Sequence, residues 1–308
     1  MLIRLFIGLN LGNQIPLMIT NFAILAIGGI NPMVKLCLDS IAKLQDVGLY
    51  VMTEKHNFNA FDSYGKECGI RIVLIDEPLP DLMLFNDSEK IKVHYEIYGT
   101  DRFAQINILK WILIGEVLKQ INYGDIMFFS DFDVLWFRNP SELLREYKNQ
   151  SILAQSEWKK IADVNYCSGI IGAVKTLETE NIFADLFLFH QEKLRFFKGK
   201  YFDQQAFNDF FSNNDLINKV DALPPELFVI GAEIPKYLLK SHQKLYATHV
   251  NYLKGLKRKT VAMQAITMSL NKPKFRIIAA IFVNFLLLEG RVVVTFERLT
   301  KSIRDINH

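Results

Sequence analysis

From residue 22 to residue 129 the chain alternates short apolar runs with longer stretches of helical periodicity, and this alternation limits the folds open to it more than any other feature. FAILAIGG (22–29) reads as a buried strand ending at glycines, and Pro32 opens a helix through MVKLCLDSIAKLQ. LYVMTE (49–54) and IRIVLID (70–76) are further strands. A loop with Pro78 and Pro80 follows, and RFAQINILKWILIGEVLKQIN (102–122) is a long amphipathic helix ended by Gly124. IMFFSDFD is the strand after it. Helices placed between strands imply parallel pairing, so the fold class is α/β, a mixed but mainly parallel sheet flanked by helices. Ligands of such sheets collect at the carboxyl ends of the strands, where Gly28, Thr53, Asp131 and Asp133 fall.

Residues 124–140, GDIMFFSDFDVLWFRNP, carry the clearest chemistry. An apolar strand ends in two carboxylates with one residue between them. If the strand stays straight, Asp131 and Asp133 share a face, about 6–7 Å apart. Two carboxylates in so apolar a setting need a cation between them, and a divalent metal with oxygen ligands meets that need. His249, in YATHVNYLKGLK, is a candidate third ligand. Behind it, Gly255 would let a phosphate approach the backbone, and Lys257 could neutralise that phosphate.

The second half reads less regularly. SELLREYKN is a short helix, SILAQSEW a strand, and NYCSGIIGAVK (165–175) a strand pair or bend. A helix over 177–197 carries core aromatics, and DQQAFNDFFSN (203–213) opens another with Asp203 as its cap or in its first turn.

Of the 308 residues half are hydrophobic, enough for a sizeable core, and the net charge of +3 does not indicate a nucleic-acid surface. Cys37, Cys68 and Cys167 fit neither a disulfide framework nor a zinc site, which points to a reducing compartment. The apolar N-terminus is interrupted by Asn10, Asn13, Gln14 and Pro16 before the roughly 20 residues of a membrane span, and a signal segment stays open as the alternative. IIAAIFVNFLLL (277–288) is also short for a span. It reads as a buried helix, or as an interfacial one making peripheral membrane contact beside Lys272, Lys274 and Arg276. A cytoplasmic or membrane-peripheral location follows, with the secretory lumen as the alternative. The expected division is a catalytic domain over 1–265 and a C-terminal apolar and basic extension over 266–308.

Five blocks in order, SDFDVLWFRNP (130–140), YCSGIIGA (166–173), FDQQAFND (202–209), LFVIGAE (227–233) and THVNYLKG (248–255), resemble the nucleotide-diphospho-sugar transferase family of GT-A-fold, retaining glycosyltransferases. The resemblance spans roughly residues 20–260. It implies a nucleotide-diphosphate sugar as donor, commonly a UDP-sugar, and a hydroxyl of a glycan, protein or lipid as acceptor. It implies manganese, or magnesium, on Asp131, Asp133 and His249, with Asp131 also near the ribose. Gly255 and Lys257 would contact the diphosphate, and Asp203 and Gln204 the sugar and its reacting carbon. Gly28 and Lys110, with Arg102, would complete the donor side. Two other readings stand beside this one. A degenerate GT-A domain would bind a glycan or a membrane without catalysis. A phosphatase of the haloacid dehalogenase type also carries Asp-x-Asp after an apolar strand, but early in its fold and with a later acidic pair.

Overall fold

The computed structural model describes residues 20–76, 103–145, 151–156, 165–197, 201–214, 216–240, 245–251, 253 and 255–288. Its first half is the predicted alternation with one helix, α2, that was not predicted: β1 (Thr20–Leu25), α1 (Pro32–Ile41), β2 (Val47–Thr53), α2 (Phe58–Cys68), β3 (Ile72–Asp76), α3 (Phe103–Gln120) and β4 (Ile126–Ser130). Asn31 starts α1 by accepting the N–H groups of Met33 and Val34, with Pro32 in the first turn. β5 (Val134–Trp136), β6 (Ile152–Ser156), β7 (Tyr166–Val174), α4 (Leu177–Phe196) and α5 (Asp203–Asn213) follow. The chain continues through β8 (Val220–Leu223), β9 (Phe228–Ile230), α6 (Ile234–Lys240), β10 (Ala247–His249) and α7 (Leu256–Asn271). α8 covers 276–288.

Seven strands form one sheet in the order β3-β2-β1-β4-β7-β6-β8, and a small sheet has the order β5-β10-β9. In the large sheet β7 alone runs antiparallel to both its neighbours, and the other pairs are parallel. Both faces of its centre are covered. Ile126 and Phe128 join Phe22, Ile24 and Trp136 on one side, and Met127 and Phe129 join Ala23, Leu113 and Phe183 on the other. Burial on both faces is why β1 and β4 read as unbroken apolar runs rather than alternating ones.

Three expectations change. The strand carrying the aspartates does not stay straight: it ends at Ser130, and Asp131 to Asp133 turn the chain from the large sheet into β5. Residues 166–174 form one nine-residue strand rather than a strand pair or bend. Only one face of 276–288 is buried, with Ala279, Ala280, Val283, Leu286 and Leu287 in the core while Ile277, Ile281 and Phe285 are exposed. Among the described residues no helix is long and apolar enough to cross a membrane. The N-terminal apolar segment, the Pro78–Pro80 loop and Arg102 lie outside them. The three cysteines are free.

Candidate active site

The turn between β4 and β5 is held from both sides. The Asp131 N–H donates to the Gly169 carbonyl at 2.8 Å, the Val134 N–H closes the turn on the Asp131 carbonyl at 3.2 Å, and Val250 N–H reaches the Asp133 carbonyl at 3.0 Å. Beneath it, the Trp136 indole donates to Ser130 Oγ at 2.9 Å and its backbone N–H to Ser40 Oγ at 3.0 Å. The turn therefore rests on a rigid aromatic floor. β10 pairs antiparallel with β5 so that His249 stands opposite Val134, next to Asp133.

This register brings the three predicted ligands together. His249 Nε2 is 3.1 Å from Asp133 Oδ1 and 3.8 Å from Asp131 Oδ2, and one ligand atom from each residue falls within 4.8 Å of the others. Two features of the fold serve this convergence. Gly169 makes room for the imidazole, since a Cβ there would lie 2.0 Å from His249 Cε1. On the ring's far side Nδ1 is 3.1 Å from Gln155 Oε1, and the Gln155 amide nitrogen donates to the Phe228 carbonyl at 3.0 Å. That amide orientation makes Nδ1 the donor and leaves Nε2 as the atom facing the carboxylates, which offers the metal-binding lone pair once a metal displaces its proton. The donor set, two carboxylates and one imidazole, suits manganese or magnesium better than a thiophilic ion.

Cations offset the crowded carboxylates. Burial raises Asp133, but Lys259, which contacts it directly, and His249 outweigh that and hold its carboxyl below the usual range. Burial and the neighbouring Asp133 raise Asp131 in spite of Lys110 and His249. Burial would lower His249, yet Asp133 pushes it up to about 10, a sign of how strongly this corner attracts positive charge. Lys110, 3% exposed, is 3.3 Å from Asp131 Oδ1 and 2.5 Å from Asp203 Oδ2, and it donates to the Ser168 carbonyl at 2.9 Å. Burial opposes its charge, but the two aspartates raise it regardless. Asp203 is the first residue of α5, and also accepts from Ser168 Oγ at 2.5 Å. Asn208 anchors that helix by exchanging two 2.8 Å hydrogen bonds with the backbone of Tyr166.

These groups face a cavity of about 630 Å3 whose wall also contains the amides of Asn107, Asn165, Gln204, Gln205 and Asn251. The structure thus gathers Asp131, Asp133, His249, Asp203 and Gln204 at one pocket, and Lys110 directly behind it. Gly28, Gly255 and Lys257 are not part of its wall. Gly28 has φ +88° and donates to Glu54 at 2.9 Å, and Thr53 caps the Ala26 carbonyl at 2.8 Å. Gly255, with φ +83°, precedes α7, and Lys257 is exposed in that helix's first turn. Sequence reasoning missed Gln155, Gly169 and Lys259. A glutamine within the apolar run ILAQS and a glycine inside a strand were the available signals.

The profile of the family described as nucleotide-diphospho-sugar transferase matches residues 76–263, which include every residue of the pocket wall. The chain belongs to this family. As a nucleotide-diphospho-sugar transferase it is a glycosyltransferase, and its mainly parallel seven-stranded sheet is that of the GT-A fold. An active-site mutant of the galactosyltransferase LgtC is similar over 81% of this chain and 95% of its own, with 11% identity and a TM-score of 0.52. Mouse xyloside xylosyltransferase 1 in its apo form is similar over 75% of this chain and 98% of its own, at 10% identity and a TM-score of 0.48. No curated protein matches the transferase by sequence.

Proposed function

We propose that this transferase is metal-dependent and moves a sugar from a nucleotide diphosphate, a UDP-sugar foremost, to a hydroxyl of a glycan, protein or lipid with retention of configuration. The observation that carries the reading is the convergence of Asp131, Asp133 and His249 within 4.8 Å, with Gly169 opening space for the ring and Gln155 fixing its tautomer. Manganese or magnesium held by these three would supply positive charge against the diphosphate as it becomes the leaving group.

The residues around them do the rest. Asp203 and Gln204 line the cavity at the start of α5 and are assigned the sugar and its reacting carbon, where positive charge develops as the glycosidic bond breaks. Lys110 keeps the Asp131 and Asp203 carboxylates apart and oriented, and the wall amides offer donors and acceptors matched to sugar hydroxyls. Asp131 also serves the ribose, and Gly28 the outer donor side. Lys259, turned inward to Asp133, joins Lys257 as a cationic partner of the diphosphate, and Gly255 lets the diphosphate approach the backbone. We assign these roles to a catalytic unit over 1–265, with 266–308 as its extension.

The test is thermal denaturation with manganese or magnesium and a panel of nucleoside diphosphates, repeated with Asp133→Asn. Stabilisation that needs both metal and one nucleotide, and that vanishes in the variant, is expected. Nucleotide stabilisation equal with and without metal would remove the metal from the reading. No response to any nucleotide would favour a binding-only domain.

A further inference from the structure

The C-terminal helix exposes an apolar face that the core does not use. Between residues 277 and 288 there is no charged side chain, and Ile277, Ile278, Ile281, Phe285 and Leu288 are each more than half exposed, at 51–66%. With Phe282 they recur at helical spacing as one stripe, opposite the buried Ala279, Val283 and Leu286. Contiguous exposed apolar surface of this kind marks a binding face. At about 20 Å this helix is too short to cross a bilayer core of about 30 Å.

Charge identifies the occupant. From residue 234 to residue 288 the chain contains ten Lys or Arg and no Asp or Glu; Lys236 and Lys259 are paired with Glu233 and Asp133, and Lys257 is assigned to the donor site. Lys272 and Lys274, immediately before the helix, are exposed. A docking protein would need matching acids beside an apolar groove. A bilayer with anionic headgroups offers both chemistries on one flat surface, and it tolerates a stripe whose exposed side chains include only Asn284 as a polar group.

We propose that α8 lies in the plane of an anionic lipid surface, with Ile281 and Phe285 at the acyl boundary and Lys272 and Lys274 against the headgroup phosphates. This contact is separate from the catalytic reading and stands or falls without it.

The experiment is co-sedimentation of the full chain with phosphatidylcholine vesicles, with and without phosphatidylglycerol. Binding to the anionic vesicles that weakens with salt is expected. Ile281→Glu with Phe285→Glu should lower the partition coefficient about tenfold or more while leaving the melting temperature unchanged. Lys272→Glu with Lys274→Glu should remove the preference for phosphatidylglycerol. Failure of the unaltered chain to sediment with anionic vesicles would overturn the proposal. So would light scattering that shows a dimer dissolved by the apolar substitutions, since the face would then belong to a second copy. The nucleotide response of the same preparations, read separately, reports on the donor site alone.

Discussion

His249 Nδ1 lies 3.1 Å from the amide oxygen of Gln155, whose nitrogen is committed to the Phe228 carbonyl. β6 shifts register between Ala154 and Gln155 where it pairs with β7, and the irregularity falls at the residue that orients the histidine. Gln155→Leu keeps a similar volume but removes the acceptor, so the ring loses its fixed tautomer. Manganese affinity, measured by isothermal titration, should fall about 10- to 100-fold, the usual effect of losing such an outer partner. Unaltered affinity would show that the Nε2 orientation is set elsewhere.

Gly169 gives a sharper case. Its φ is ordinary, and the constraint on it is space: the added methyl of Gly169→Ala would meet the imidazole at 2.0 Å. Because the Gly169 carbonyl also receives the Asp131 N–H, backbone relief would disturb the turn that holds both aspartates. The variant should lose metal binding and transfer together, with a stability cost of about 1–3 kcal/mol from overpacking. Gly172→Ala, whose Cβ would meet the Phe128 ring at 2.8 Å, controls for core strain without touching the site. Equal loss of metal affinity in both variants would refute the cradle.

Lys110, itself 3% exposed, stands between Asp131 and Asp203, so its removal leaves two carboxylates without the cation that pairs them. Lys110→Met should destabilise the protein by about 3–5 kcal/mol in urea denaturation, and Lys110→Met with Asp203→Asn should recover a large part of that. If the two changes simply add, Lys110 and Asp203 are not an energetic pair.

The sequence discloses its local signals and conceals its long-range ones. β1 to β4 are legible as apolar runs, continuous in β1 and β4 because both faces are buried, and α1 and α3 because Pro32 and Gly124 punctuate them; α2, which buries only Phe61, Tyr64 and Gly65, is not. The Asp131 and Asp133 pair stands out for the same reason, as charge within an apolar run. Its geometry does not: read as a strand, the pair is two carboxylates repelling across one face, whereas the turn after Ser130 gives each its own cation, Lys110 and Lys259. Lys259 is hidden in a run of basic residues, any of which could point inward, and only the start of α7 at Leu256 selects it. Gln155 and Gly169 act through His249, which is 94 and 80 residues away along the chain; no local pattern encodes such a contact.

His190, fully buried, ties α3 to the loop that delivers Asp203. The Trp111 indole donates to its Nδ1 at 2.8 Å, so Nε2 carries the proton and donates to the Tyr201 carbonyl at 3.2 Å, two residues before Asp203. Burial holds the ring neutral and lowers its pKa to about 4. The unfolded chain titrates near the ordinary value of about 6.5 and therefore binds the extra proton first as pH falls. The contribution of the neutral ring is fully present above about pH 6.5 and is lost progressively down to about pH 4, an amount of about 3 kcal/mol. Protonation also turns Nδ1 into a donor facing the Trp111 N–H, which breaks the link to α3. His190→Gln, which cannot titrate, should flatten the stability profile by about that amount between pH 6.5 and 4, measured by urea denaturation against the unaltered protein. Parallel profiles for the two proteins would mean that His190 does not titrate in this window.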